Sequence, residues 1–244
     1  MSNLFEAAGL EEGAPRPLAD RLRPLTLDEV VGQDHLIGPR GPLGRMLAKG
    51  HLSSIILWGP PGTGKTTIAR LLADKVGLHF EPMSAIFSGV ADLKKVFDAA
   101  RGRRAMGKGT LLFVDEIHRF NRTQQDSFLP VMEDGTVTLV GATTENPSFE
   151  LNAALLSRAQ VLVLNRLDDA ALERLLQRAE AHVGRKLPLD DDARAALRAM
   201  ADGDGRYVLN LAEEVLALGN EEPLDTAALI GAVQRRAPLY DKGR

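Results

Sequence analysis

The sequence predicts an α/β domain built on a parallel sheet, followed by a small all-helical domain. Short apolar segments without polar alternation, such as Ser54–Trp58 and Thr110–Val114, favour strands that are covered on both faces. Segments with the apolar spacing of helices separate the strands, and this order predicts right-handed βαβ units. After Asn165 only helical periodicity continues. We therefore expect the first domain at residues 18–166 and the second, a helical lid, at 167–237.

The predicted elements alternate along the first domain. Its predicted strands are Ser54–Trp58, Leu78–Met83, Thr110–Val114, Thr136–Ala142 and Val161–Leu164. Its predicted helices are Thr67–Val76, Val90–Ala100 and Gln124–Met132. The helices expected in the second domain are Asp168–Val183, Asp190–Met200, Tyr207–Leu218 and Asp225–Val233. Residues 1–17 are rich in Gly, Pro, Glu and Ala and have no apolar periodicity, so we expect a flexible tail there.

The composition excludes several classes of protein. The chain has 244 residues, no cysteine and a formal net charge of −3. Disulfides and thiolate metal sites are therefore excluded, and no overall positive charge attracts nucleic acid. No apolar run is long enough to span a membrane, and the first residues lack the pattern of a secretory signal. These features together favour a cytoplasmic protein.

A glycine-rich segment follows the first strand and precedes a helix. Its residues fit the pattern GxxxxGK[ST] and are Gly59, Pro60, Pro61, Gly62, Thr63, Gly64, Lys65 and Thr66. Glycines let backbone N–H groups turn toward a polyphosphate, and the helix that starts at Thr67 adds the positive end of its dipole. We expect Lys65 to reach the β- and γ-phosphates and the Thr66 hydroxyl to bind Mg²⁺. The segment therefore predicts a P-loop that binds the phosphates of a nucleotide.

Two adjacent carboxylates, Asp115 and Glu116, follow the apolar strand that ends at Val114. Ligands bind at the carboxyl ends of parallel strands, and an acidic pair about fifty residues after a P-loop is informative in that context. We expect Asp115 to hold the metal ion through water and Glu116 to accept a proton from the attacking water. Without the P-loop, the same pair would be an ordinary end of a strand.

Three further segments carry candidates that also have an ordinary explanation. Thr144 is our first choice, and Asn146 our second, for positioning water near the γ-phosphate; the alternative is a turn built from Thr and Asn. Arg158 is either a solvated surface charge or an arginine finger that stabilises the transferred phosphoryl group. The basic run Arg101–Arg104, with Lys108, is expected in the loop before the acidic strand. It is either a solvated loop or a contact for a phosphate backbone.

In this order, the elements resemble the AAA+ ATPases, and GPPGTGKT is the usual AAA+ form of the P-loop. Within that superfamily the chain is similar to the replication-associated recombination protein A family (RarA, also called MgsA), relatives of clamp loaders and of the Holliday-junction motor. The resemblance implies a P-loop AAA+ domain with a parallel sheet, followed by a small all-helical lid. The segments that carry it are Arg21–Pro24, Val31–Gln33, His51–Gly59, Phe113–Asn121, Gln124–Asp126, Gly141–Glu150 and Leu155–Ala159.

The resemblance implies a role for each matching residue of the core motifs. Lys65 and Thr66 match the Walker A pair, and Asp115 and Glu116 match the Walker B pair. Thr144 aligns with the sensor 1 position. Apart from the resemblance, His118 could be taken for a catalytic base; we expect it instead to pack against its neighbours or to orient them, because Glu116 already supplies the base.

Two arginines match elements that act across the nucleotide. Arg158 aligns with the finger in the Ser-Arg-Cys element of clamp loaders, although Ala159 replaces the cysteine here. Such a finger acts on the ATP of a neighbouring subunit, so it implies an oligomer. The segment Gly203–Arg206 resembles the sensor 2 turn and implies that Arg206 lies over the phosphates of its own subunit. Tyr207 stands where the family often has a second arginine.

The ligands that the resemblance implies are ATP and Mg²⁺, with Val31 and Gly32 in the segment expected to hold the adenine. The implied partners are forked, gapped or end-containing DNA, further copies of the chain through Arg158, and a single-strand-binding protein or a clamp. Arg119 and Arg122 are candidates for contacts with DNA or with another subunit. No membrane is expected as a partner.

The family continues for well over a hundred residues into a helical domain that builds a tetramer, whereas this chain ends about where that domain should begin, at residues 238–244. We therefore expect either a fragment or a shortened member. The expected function is that of a DNA-dependent ATPase of replication-associated recombination and repair, acting at stalled forks, gaps or duplex ends in the nucleoid. The alternatives are a clamp-loader-like subunit and an ATP-switched binding module with little turnover. Glu116 and Arg158 together favour hydrolysis, since a pure switch would not need both.

Overall fold

The computed structural model describes residues 16–220 and 222–234, and these residues form two compact units. The first unit is built around the sheet and comprises residues 24–171 and 202–205. The second unit is helical and comprises residues 16–23, 172–201, 206–220 and 222–234. The predictions made for residues 1–15 and 238–244 lie outside the described residues.

The first unit contains a parallel sheet, as predicted. Its strands are β1 Ile55–Trp58, β2 His79–Ser84, β3 Thr110–Asp115, β4 Val137–Thr143 and β5 Gln160–Val163. They lie in the order β2-β3-β4-β1-β5, and every neighbouring pair is parallel. Strand β4 therefore separates the strand that leads into the glycine-rich loop from the strand that leads into the acidic pair.

Both faces of this sheet are buried, which explains why its strands lack polar alternation. Ile55 and Leu57 of β1 face one hydrophobic core, whereas Ile56 between them faces the other. The first core also contains Leu72, which follows the glycine-rich loop, and the second contains Phe97. Because successive side chains of a strand point to opposite faces, a strand with a core on each side must be apolar throughout.

Helices cover the sheet and make up the second unit. In chain order they are α1 Leu18–Arg21, α2 Asp34–Ile37, α3 Pro42–Ala48, α4 Lys65–Lys75, α5 Val90–Ala105, α6 Arg122–Asp126, α7 Phe128–Glu133, α8 Pro147–Glu150, α9 Ala153–Leu156, α10 Asp169–Val183, α11 Asp191–Ala201, α12 Gly205–Ala217 and α13 Thr226–Gln234. Two short 3₁₀ turns lie at Leu27–Glu29 and Ile117–Arg119. Across the part of the chain that is described, no helix combines the length and the apolarity needed to cross a membrane.

The structure corrects two sequence-based predictions about helices. The basic run Arg101–Arg104 lies in the last two turns of α5 and not in a loop. Gly102 is open to solvent there, and Arg103 is fixed by an ion pair with Glu81 of β2, so the helix continues past the predicted end. The helix predicted at 124–132 is divided into α6 and α7 at Ser127.

The second unit takes in a short segment from the beginning of the described chain. The carboxylate of Glu213 in α12 accepts the backbone N–H of Leu18 at 3.1 Å and lies 3.7 Å from the guanidinium of Arg21. Residues 18–23 therefore belong with the helices, whereas the sequence pattern assigns them to the first domain. A contact between residues almost two hundred positions apart leaves no periodicity in the sequence.

Helices α10 and α11 are joined by a cluster of ion pairs. The guanidinium of Arg194 donates to Glu173 at 2.8 Å and to Glu180 at 2.6 Å, and Arg198 also donates to Glu173. The hydrogen bond from Arg194 lowers the pKa of Glu173. Burial of Glu180 favours its protonated form, but hydrogen bonds from Arg194 and from the N–H of Leu187 outweigh it, so the pKa of Glu180 is lowered too.

We expect Arg194→Leu to destabilise the helical unit, because it leaves two carboxylates poorly solvated and without their main partner. At neutral pH the free energy of unfolding should fall by about 2–4 kcal/mol, somewhat less than for a fully buried pair. A carboxyl group whose pKa is lowered in the folded state contributes its full stabilisation at pH values above its ordinary pKa of 4.5. This stabilisation is lost as the pH falls through the lowered pKa. The difference between wild type and variant should therefore shrink below that pH.

Urea unfolding followed by circular dichroism at neutral and acidic pH measures both effects. Arg174→Leu, at an exposed position of α10, the helix that carries both glutamates, is the matched control and should change stability little. Equal losses in the two variants would contradict the role assigned to the cluster.

Candidate functional site

The glycine-rich loop joins β1 to α4 in a conformation that side chains would disturb. Gly62 and Gly64 have φ angles of 68° and 101°, in the left-handed region that favours glycine. A Cβ atom on Gly62 would lie 1.7 Å from Oδ1 of Asp204. The N–H of Gly205 also donates to the carbonyl of Gly62 at 2.9 Å, so residues 204–205 pack directly on the loop.

The ammonium group of Lys65 is held inside this loop. Its Nζ donates to the carbonyl oxygens of Gly59 and Pro60, both at 2.7 Å, and the residue is only 8% exposed. The hydroxyl of Thr63 donates to the same Pro60 carbonyl at 2.9 Å. The loop therefore encloses one positive charge that is fixed by backbone dipoles.

The loop and the first turn of α4 also fit a polyphosphate. Thr66 and Thr67 are the second and third residues of α4, where backbone N–H groups have no acceptor within the helix. Pro61 is exposed at the outside of the loop. Backbone donors, the helix dipole and the enclosed ammonium of Lys65 are the features that bind phosphate groups.

Gln33 is a buried residue that sequence reasoning did not select. Its Nε2 donates to the carbonyls of Asn165 at 2.8 Å and Thr63 at 3.4 Å, and its Oε1 accepts the N–H of Asn165. Gln33 thus connects the glycine-rich loop with the segment after β5. Val31 and Gly32, which are predicted to hold the adenine, directly precede Gln33. This adjacency was the sequence signal that could have marked Gln33 as part of the site.

The acidic pair lies at the carboxyl edge of the sheet. Asp115 is the last residue of β3, and β1, β4 and β3 all end at this edge. Oδ1 of Asp115 accepts the N–H of Glu116 at 3.1 Å. Glu116 has φ 53° and ψ 43°. This left-handed conformation of a residue with a side chain costs about 1–3 kcal/mol and is typical of functional sites.

The carboxylate of Glu116 is in contact with a histidine that the sequence did not assign to catalysis. Nε2 of His118 lies 3.2 Å from Oε2 of Glu116, and Nδ1 lies 2.8 Å from the hydroxyl of Thr143. The side chain of His118 is 7% exposed. Thr143 ends β4, and its carbonyl accepts the N–H of Gly59 at 3.1 Å. Thr143 itself was missed, although it precedes the predicted Thr144.

The two candidates for positioning water differ in their surroundings. The side chain of Asn146, our second choice, accepts the N–H of Ser148 at 3.0 Å and caps α8. The side-chain oxygen of Asn146 thus serves the local turn, as the alternative explanation expects, and a role of Asn146 in positioning water stays a prediction. Thr144 follows β4 at the edge where β1 and β3 also end and is half-buried. Its role in positioning water stays a prediction.

Arg158 lies at the opposite edge of the sheet. Its Nε donates to Glu133 at 2.6 Å, and its Nη1 donates to the carbonyl of Ala154 at 2.8 Å. It shortly precedes β5, in which Gln160 pairs with Ile55 at the beginning of β1. The length of β5, about 10 Å, therefore separates Arg158 from the carboxyl edge of the sheet, which carries the glycine-rich loop. Arg158 is therefore not brought together with the loop of its own chain.

Three other arginines have separate surroundings. Arg119 and Arg122 are exposed beyond the acidic pair, and no ion pair to either occurs within residues 16–220 and 222–234. Arg206 is the second residue of α12 in the helical unit, and its action on phosphates stays a prediction.

A metal ion at this site would be shared with the nucleotide. In the described chain, no three His, Asp or Glu side chains are grouped so that they could hold a metal ion by themselves. Mg²⁺ is usually bound by one or two protein groups together with phosphate oxygens and water. The hydroxyl of Thr66 and the carboxylate of Asp115 have the oxygen chemistry that such a shared ion requires.

Comparison with known protein families agrees with this geometry. Residues 55–167 match the model of the ATPase family associated with various cellular activities (AAA). Replication-associated recombination protein A of Escherichia coli K12 is 47% identical over 218 residues, which are 87% of this chain and 48% of that protein. ATPase WRNIP1 of Dictyostelium discoideum is 43% identical over 93% of this chain and 29% of its own length. The chain thus spans about half the length or less of these relatives.

Solved structures show the same fold. The Thermotoga maritima RuvB Holliday junction branch migration motor superposes with a TM-score of 0.71 at 26% sequence identity. The match covers 88% of this chain and 72% of that one.

We expect Gly62→Ala to impair binding of adenine nucleotides strongly, because the added Cβ atom would collide with Asp204 and would require a strained φ angle. Gly77→Ala is the matched control, since Gly77 has a φ of 71° but no atom within 4 Å of the place that an added methyl group would occupy. Isothermal titration calorimetry with Mg-ATP measures both variants. Both carry a similar backbone strain, because the left-handed conformation costs a residue with a Cβ atom roughly 1–2 kcal/mol. Equal affinities in the two variants would show that the contact with Asp204 is unimportant.

Proposed function

Since the chain belongs to the AAA family of ATPases, we propose that it binds Mg-ATP in the loop Gly59–Thr66 and hydrolyses it. The observation that carries this proposal is the ammonium of Lys65, enclosed by the loop at the edge of the sheet where Glu116 also lies. A phosphate-binding cation and a base at one edge are what hydrolysis of a terminal phosphate requires.

Each residue of the site has a chemical task in this proposal. Lys65 and the N–H groups at the start of α4 bind the β- and γ-phosphates. Thr66 and Asp115 hold Mg²⁺, which neutralises charge on the phosphate oxygens when it is bound. Glu116 accepts the proton of the attacking water, and Thr144 positions that water. Backbone groups of the loop complete the binding of the triphosphate, and the segment Val31–Gly32 holds the adenine.

We expect Glu116→Gln to keep its affinity for Mg-ATP and to lose phosphate release by roughly 10²-fold or more, because an amide cannot accept the proton. Glu150→Gln, at an exposed position of α8, is the control and should match the wild type. Both are measured by phosphate release and by calorimetry, with and without forked DNA. A module that uses ATP only as a switch predicts the opposite result, a wild type that is no faster than Glu116→Gln.

We further propose that DNA with forks, gaps or ends stimulates this turnover in replication-associated recombination. The support is the similarity to replication-associated recombination protein A and the structural match to a branch migration motor. The exposed cations Arg119 and Arg122, which follow the acidic pair, provide local positive charge on a chain that is acidic overall. Phosphate contacts of this kind depend on salt and not on base sequence.

Arg158 is proposed to act on the ATP of a neighbouring copy. Its position before β5 separates it from the loop of its own chain by at least the length of that strand. Its ion pair with Glu133 is largely exposed, and exposed pairs contribute only about 0–1 kcal/mol. Releasing Arg158 from Glu133 to reach another subunit therefore costs little.

We expect Arg158→Ala to reduce phosphate release by roughly 10³-fold while nucleotide affinity is retained, because stabilisation of the transferred phosphoryl group is lost. Mixing the Arg158→Ala and Glu116→Gln variants should restore part of the activity. At some interfaces, a copy with an intact Glu116 then receives the intact Arg158 of its neighbour. Analytical ultracentrifugation establishes whether the copies associate under the assay conditions. A fully active Arg158→Ala variant, or an active chain that stays monomeric, would exclude a finger in trans.

A further inference from the structure

We propose that His118 is a positioning residue, which holds the carboxylate of Glu116 and couples it to the end of β4. The proposal rests on the hydrolysis proposed above and gives a specific role to His118, for which the sequence predicted only packing against its neighbours or orienting them. It depends on three observations: the contacts of both ring nitrogens, the burial of the ring, and the backbone conformation of Glu116.

The contact with Glu116 assigns a proton to Nε2 of the ring. An ionised carboxylate only accepts hydrogen bonds, so Nε2 of His118 must donate to Oε2 of Glu116 across 3.2 Å. In a neutral ring Nδ1 is then an acceptor, and the hydroxyl of Thr143 must donate to it across 2.8 Å. The same hydroxyl oxygen accepts the N–H of Glu145 at 3.0 Å, and the carbonyl of Glu145, at 3.3 Å, is a second acceptor within reach of the hydroxyl hydrogen. Nδ1 is the nearer of the two acceptors, so we assign the hydroxyl hydrogen to it.

The backbone shows why Glu116 needs such a partner. Glu116 adopts a left-handed conformation and begins the 3₁₀ turn Ile117–Arg119, which carries His118. Its side chain is held by a group on that same turn, so the pair forms a compact unit at the end of β3. Because the ring of His118 is almost entirely buried, little water competes for its two hydrogen bonds.

The hydrogen bonds connect the base with the start of the glycine-rich loop. The N–H of Gly59 donates to the carbonyl of Thr143, the hydroxyl of Thr143 donates to His118, and His118 donates to Glu116. Thr144, the residue proposed to position water, is the next residue of the same strand end. A small displacement of this strand end would therefore move the base together with the water-positioning residue.

Four substitutions separate the two hydrogen bonds of the ring. In His118→Gln the amide nitrogen can replace Nε2 and still donate to Glu116, whereas in His118→Asn the shorter amide reaches only the position of Nδ1. Thr143→Val removes the hydroxyl at almost constant volume, and Thr143→Ser retains it. All four variants keep the residues that bind nucleotide.

If His118 positions the base, His118→Asn should lower kcat for phosphate release by roughly 10- to 100-fold and leave KM for ATP nearly unchanged. His118→Gln and Thr143→Ser should stay close to the wild type, and Thr143→Val should fall between. The double variant of His118→Asn with Thr143→Val should be no slower than His118→Asn alone, because both substitutions interrupt the same hydrogen-bond path from Thr143 to Glu116. The proposal would be overturned by equal losses of kcat in His118→Gln and His118→Asn or by a change in KM that parallels the change in kcat. It would also be overturned if the losses of kcat in the two single variants multiplied in the double variant.

A second measurement does not depend on turnover. Long-range ¹⁵N–¹H NMR spectra of histidine-labelled protein should show the His118 ring protonated at Nε2, and Thr143→Val should shift the Nδ1 resonance. A ring protonated at Nδ1 instead would overturn the proposal even in an active enzyme. A wild type without phosphate release but with the expected NMR result would reject the proposed hydrolysis and retain the hydrogen-bond path.

Discussion

The enclosure of one ammonium group by a backbone loop is the interaction on which the rest of the site depends. Lys65 is nearly buried, and two carbonyl oxygens of the loop accept its hydrogen bonds. A buried cation is costly unless it is hydrogen-bonded, so the loop must keep its shape to hold the charge. The left-handed glycines, the packing of residues 204–205 and the buried amide of Gln33 all act on this one conformation.

The strand order places the reacting groups without requiring them to be near in sequence. Strand β4 lies between β1 and β3, so its last residue contacts both the glycine-rich loop and the turn that follows the acidic pair. Thr143 uses its carbonyl toward Gly59 and its hydroxyl toward His118. A single residue at the end of the central strand thus connects phosphate binding with the base.

The two edges of the sheet have different tasks in the proposed mechanism. The carboxyl edge carries the loop, the acidic pair and Thr144, whereas Arg158 lies before β5 at the amino edge. In the proposed mechanism, one copy of the chain therefore supplies every catalytic group for its own nucleotide except the arginine finger, which comes from a neighbouring copy. Assembly would complete the site, and the weak exposed pair of Arg158 with Glu133 allows this exchange at small cost.

The sequence by itself determined the parallel α/β class, the glycine-rich loop and the acidic pair, because these depend on local patterns: apolar runs, glycines at fixed spacing and carboxylates after a strand. It misplaced the end of α5, where an ion pair from Arg103 to β2 continues the helix, and it left open the role of Asn146, whose side-chain oxygen caps α8. Only the tertiary structure decided that His118, Thr143 and Gln33 belong to the site. Their partners come from other strands and loops, and long-range hydrogen bonds leave no periodic signal along a chain.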